Sequence, residues 1–110
     1  MEITTQEFKR VAVISVSGRV DSATAPELEA KLREAVDGGR HQLVLDLKNV
    51  EYMSSAGLRA MVSTLKAVKR ANGDLRLANP SPRVEEVLRL AGLTSIFSIH
   101  ATQEEAVASF

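Results

Sequence analysis

The sequence predicts one α/β domain in which a small mixed β-sheet carries about four helices in the order β-β-α-β-α-β-α-β-α. Short apolar runs alternate with stretches whose apolar residues recur at helical spacing, and turn-forming residues separate the two kinds of segment. The 110 residues suffice for one hydrophobic core, so a single domain over 1–110 is expected, with no linker, repeat or low-complexity stretch.

Two β-prone runs lie between Ile3 and Val16, separated by Lys9-Arg10, and the second, Val11-Ala12-Val13-Ile14-Ser15-Val16, is apolar enough to be covered on both faces. Gly18-Arg19-Val20-Asp21-Ser22 reads as a break in that run. Thr24-Ala25-Pro26-Glu27 has the form of a capping box with Pro in the first turn, which predicts a helix start. Leu28, Leu32, Ala35 and Val36 then form one helical stripe, ended by Gly38-Gly39.

Leu43-Val44-Leu45-Asp46-Leu47 reads as a buried central strand, Lys48-Asn49 as a short polar turn, and Val50-Glu51-Tyr52-Met53 as a further strand leading into Ser54-Ser55-Ala56-Gly57. The stripe Leu58, Met61, Val62, Leu65 and Val68 predicts an amphipathic helix, with Lys66, Lys69 and Arg70 near its negative end and Asn72-Gly73 as its stop. Leu75 to Ala78 is strand-like. Ser81 and Pro82 cap and start a third helix through Val84, Val87, Leu88 and Ala91, with Gly92 at its end. Ile96 to Ile99 reads as a strand, and Thr102-Gln103-Glu104-Glu105 as a capping box before Ala106, Val107 and Phe110.

Lys plus Arg and Asp plus Glu both number 14, so net charge gives no reason to expect nucleic acid or an anionic membrane as partner. Cysteine is absent, which removes disulfides and thiol chemistry. Met1 to Thr5 lacks the basic start and apolar run of a secretory signal, and no stretch approaches the ~20 apolar residues of a membrane span, so a cytoplasmic location is expected. His41 and His100, the two histidines, have no metal-ligand spacing, and no phosphate-binding or nucleophile-elbow motif occurs. No metal, cofactor or catalytic residue is expected.

The distinctive segment is Val50 to Leu58, where Ser54 and Ser55 occupy the turn between a buried strand and an amphipathic helix. One hydroxyl suits the helix N-cap. The second, beside the small Ala56-Gly57 pair, leaves the helix start open to a bulky partner or a phosphate.

Taken together, the element order, Gly18-Arg19-Val20-Asp21 followed by Thr24-Ala25, Tyr52-Met53-Ser54-Ser55-Ala56-Gly57-Leu58, and the helix ending in Ala91-Gly92-Leu93 resemble the STAS domain, in particular the anti-sigma factor antagonists. The resemblance covers nearly the whole chain. It implies a protein that binds an anti-sigma factor with serine kinase activity, is phosphorylated on Ser55, and is reset by a serine phosphatase. It further implies a partner surface drawn from Asp21, Ser22, Thr24, Ser54, Ser55, Ala56, Gly57 and Leu58. Ser54 stands where the family usually carries Asp, leaving Ser54 to cap the helix or to serve as acceptor itself. Two other roles remain open at this level: a STAS scaffold or regulatory subunit in a non-sigma complex, and a small-ligand or nucleotide module using Asp21 and Ser55.

Overall fold

The computed structural model describes residues 1–110 and places the strands β1 (Glu2–Phe8), β2 (Val11–Val20), β3 (Gln42–Met53), β4 (Asp74–Ala78) and β5 (Ile99–His100) in one sheet, in the order β1-β2-β3-β4-β5. β1 runs antiparallel to β2, and the remaining pairs are parallel, which makes the sheet mixed as expected. The connecting helices are α1 (Ala25–Asp37), α2 (Ser55–Arg70), α3 (Pro82–Leu90) and α4 (Gln103–Ala108), with a 3₁₀ turn at Leu93–Ser95.

The pleat explains the layering. Leu43, Leu45 and Leu47 of β3 point to one face with Ala12, Ile14 and Val16 of β2 and Leu75 and Leu77 of β4. There they meet Leu28 and Leu32 of α1, Met61, Leu65 and Val68 of α2, and Val84 and Leu88 of α3. The alternate residues Val11, Val13, Val44 and Ala78 turn to the opposite face, where Ala106 of α4 covers them. Each fully buried leucine contributes about 1.5–3 kcal/mol of hydrophobic stabilisation before entropy is counted.

Most helix ends follow their local sequence. Ser81 accepts a hydrogen bond from the Val84 N–H at 3.3 Å, and Thr102 one from the Glu105 N–H at 3.1 Å. Gly39 (φ +90°) and Gly92 (φ +74°) supply the left-handed residues just beyond α1 and α3.

Four local expectations are corrected. Gly18 to Val20 does not break β2; the strand continues through two register shifts against β3, so the glycine at φ +92° accommodates a bulge instead of an end. Lys48-Asn49 is likewise no turn, because β3 is continuous over Gln42–Met53 and the Lys48 N–H is held by the Asp46 carboxylate at 3.0 Å beside the bulge. Thr24 does not cap α1 through its side chain. Its hydroxyl is taken by the preceding loop. Finally, Ile96 to Ser98 is not strand: Phe97 is buried in the core as an anchor, and pairing with β4 is limited to Ile99 and His100.

α3 is held chiefly by its two buried residues, Val84 and Leu88. Leu88→Ala should therefore lower unfolding stability by about 2–5 kcal/mol, read as a fall in denaturant midpoint at unchanged slope.

Candidate functional site

β2 and β3 end side by side, and the link between their ends fixes the start of α2. The Ser54 N–H donates to the Val20 carbonyl at 2.8 Å. Ser54 is extended (φ −86°, ψ 170°) and its Oγ accepts from the Gly57 N–H at 3.3 Å, while its carbonyl accepts from the Leu58 N–H at 3.0 Å. Ser54 is thus committed to the helix cap. Ser55, the first helical residue, is exposed. At such a position the backbone N–H groups have no intrahelical acceptor and the helix dipole presents its positive end.

Gly57 is buried where α2 comes closest to the sheet. A Cβ built there would lie 2.7 Å from Val20 Cγ1 and would overlap Met53 Sδ. Only a residue without a side chain lets the helix start approach both strand ends at once.

The loop from β2 to α1 is built on Asp21. Its Oδ1 accepts from the Ala23 N–H at 2.9 Å and the Thr24 N–H at 3.0 Å, and the Thr24 hydroxyl lies 3.2 Å away. Thr24 Oγ1 also accepts from the Asp21 N–H at 2.9 Å and lies 2.9 Å from the Arg19 carbonyl. The hydrogen bond from the Thr24 N–H, above all, holds the Asp21 carboxyl below its ordinary range; desolvation opposes it, and the Ala23 N–H, the Thr24 hydroxyl and the Arg19 charge add to the lowering. Arg19 itself lies over the Tyr52 ring, 4.5 Å from its centroid.

Two clefts border the first turns of α2. The first, about 560 Å³, separates it from the segment after α3 and is lined by Ser55, Leu58, Arg59, Val62, Lys66 and Leu93, among others. The second, about 340 Å³, lies between α1 and α2 and brings Ser22 and Ala25 opposite Ala56 and Arg59. Of the residues expected at the site, Ser22, Ser55, Ala56 and Leu58 therefore border open space. Asp21 and Thr24 organise the adjoining loop, Ser54 caps, and Gly57 permits close approach. Arg59 was not foreseen, although it borders both clefts. The signal was its place four residues after Ser55, one helical turn along the same face.

Elsewhere, His100 Nε2 lies 2.8 Å from the Ser98 hydroxyl, and the His41 carbonyl accepts from the Asp74 N–H at 2.9 Å. Neither histidine joins the clefts. No helix is long and apolar enough to cross a membrane.

The STAS domain model matches residues 2–106 of this sequence. The chain belongs to the STAS domain family. It is 37% identical over 110 residues to BtrV of Bordetella bronchiseptica, covering 100% of this chain and 95% of that one. It is also 37% identical over 94 residues to the anti-sigma-B factor antagonist of Bacillus subtilis, covering 86% and 85% of the two chains. In structure it is similar to the anti-sigma factor antagonist SpoIIAA of Bacillus in its unphosphorylated form, with a TM-score of 0.84, 25% identity, and 96% and 93% of the chains covered. SpoIIAA has also been solved in a phosphorylated form, which superposes with a TM-score of 0.78 at 24% identity.

Within this STAS domain the seating of α2 gives a direct test. Gly57→Ala gains some helix propensity, yet Val20 and Met53 must move to admit the methyl group. The expected outcome is a net loss of about 1–2 kcal/mol in chemical denaturation, overpacking exceeding propensity. A second test concerns Asp21. Its folded pKa is depressed, so its contribution is present above the unfolded value and lost as pH falls through the folded one. A carboxyl NMR titration should place the Asp21 midpoint below that of aspartate in an unstructured peptide, with the Ala23 and Thr24 amide signals shifting through the same midpoint.

Proposed function

We propose that this STAS protein is an anti-sigma factor antagonist. With Ser55 unmodified it captures an anti-sigma factor that is also its serine kinase and so frees a sigma factor; phosphorylation of Ser55 ends the capture, and a serine phosphatase restores it. The protein acts by binding, without catalysis of its own. The observation that carries this reading is the division of labour between the paired serines: Ser54 is spent on the cap, whereas Ser55 stands exposed at the helix start, on the rim of the cleft between α2 and the segment after α3. The names of the Bacillus subtilis and Bacillus relatives, and the existence of SpoIIAA in both phosphorylation states, support it.

Phosphorylation adds roughly −1.5 to −2 charges and three acceptor oxygens. On the free protein these oxygens meet the unpaired amides of the first turn and the positive end of the dipole, a gain of up to about 2 kcal/mol. The fold tolerates the group. In an interface fitted to a neutral hydroxyl, the same charge brings desolvation and like-charge repulsion. A penalty of about 3 kcal/mol there lowers affinity on the order of a hundredfold, enough to switch without refolding.

Affinity purification with wild-type, Ser55→Ala and Ser55→Asp baits tests this reading. The first two should capture an anti-sigma factor of the ATP-binding kinase type, and Ser55→Asp should lose it at an unchanged circular dichroism spectrum. Equal capture by Ser55→Asp, or a phosphate located by mass spectrometry on Ser54 after incubation with the captured kinase, overturns it.

A further inference from the structure

The charge of the chain is neutral in sum but not in place. α2 carries Arg59, Lys66, Lys69 and Arg70 and no carboxylate, whereas α1 carries Glu27, Glu29, Glu34 and Asp37 against Lys31 and Arg33. Among the α2 cations only Lys69 forms an ion pair, with Asp74 at 3.5 Å. Of the α1 carboxylates that border clefts shared with α2, Glu29 is already bound to Arg33 at 3.0 Å, and Asp37 lines a cleft with Lys66 and Arg70 but forms no ion pair with either.

The cleft between α2 and the segment after α3 concentrates this imbalance. Its polar lining is Ser55, Ser63, Arg59 and Lys66, and no carboxylate borders it. Its floor is apolar, made by Leu58, Val62, Ala91 and Leu93. Beside Ala91 and Leu93 in the chain, Leu90 and Ile96 are 73% and 47% exposed, so apolar surface continues past the rim. Unpaired cations around an apolar trough complement a segment with the reverse arrangement: an apolar anchor between carboxylates.

We propose that this cleft receives an acidic segment of the protein partner, an apolar side chain seated on Leu58, Val62 and Leu93 with flanking carboxylates on Arg59 and Lys66. The identity of the partner as an anti-sigma factor rests on the functional reading above; its acidic chemistry does not. The switch acquires a specific electrostatic form. Ser55 and Arg59 are four apart on one helix, the spacing at which side chains of opposite charge meet. A phosphoryl group on Ser55 occupies Arg59 and places negative charge at the mouth of the cleft, so the partner loses a cation and gains a repulsive neighbour.

The test uses the full chain and a defined probe, a synthetic peptide with one leucine between runs of three glutamates, together with its all-glutamine counterpart, followed by amide NMR shifts at low salt. The glutamate peptide should give saturable shifts over Ser55 to Lys66 and Ala91 to Leu93, with at least fivefold weaker binding of the glutamine peptide. The double variant Arg59→Glu with Lys66→Glu should abolish these shifts, Lys9→Glu with Arg10→Glu should leave them, and phosphoserine installed at position 55 during translation should weaken binding at least tenfold. Absence of saturable shifts, equal binding of the two peptides, or shifts centred on Lys9 and Arg10 overturns the proposal. Because the probe is chosen by charge and the phosphoserine is installed without a kinase, these outcomes are separate from those of the capture experiment, which alone decides the functional reading.

Discussion

The Ser54 N–H to Val20 carbonyl hydrogen bond, backed by the close seating of Gly57 on Val20 and Met53, is the contact on which the site depends. It joins the ends of two parallel strands to the first turn of α2. The consequence is a helix start that cannot slide along the sheet, with one serine turned inward as cap and the next outward. The Asp21 loop leaves β2 immediately after Val20 and is itself cross-braced by Thr24, so both sides of the cleft between α1 and α2 are referred to the same pair of strand ends. Buried leucines supply the stability of the domain, but this junction supplies its aim.

Much of this was legible in the sequence because local chemistry and tertiary need agreed. The apolar runs at Val11 and Leu43, the helical stripes, and the caps at Ser81 and Thr102 each had a single consistent reading, and the element order followed. Ser54 and Ser55 were recognisable as a special turn. Which of them caps was not, since either hydroxyl satisfies the rule and only the three-dimensional path of the backbone chooses.

Each misreading has a physical cause. Gly18 and Lys48-Asn49 carry the signals of turns, yet here they serve bulges within strands long enough to continue past them, an outcome decided by pairing with a neighbour distant in sequence. Thr24 has the form of a cap but finds better partners in Asp21 and Arg19. The short apolar run at Ile96 to Ile99 went the same way: burying Phe97 won over extended pairing. The segregation of charge between α1 and α2 is invisible in composition, which reports a sum, whereas recognition depends on which helix carries which sign.

The two borders of the sheet are unequal. β5 is two residues long, while β1 offers seven, polar and exposed along nearly their whole length. Unpaired backbone donors and acceptors at a border are a template for another strand, and a border of two residues provides almost none. Self-association by strand addition is therefore confined to one flank of the molecule.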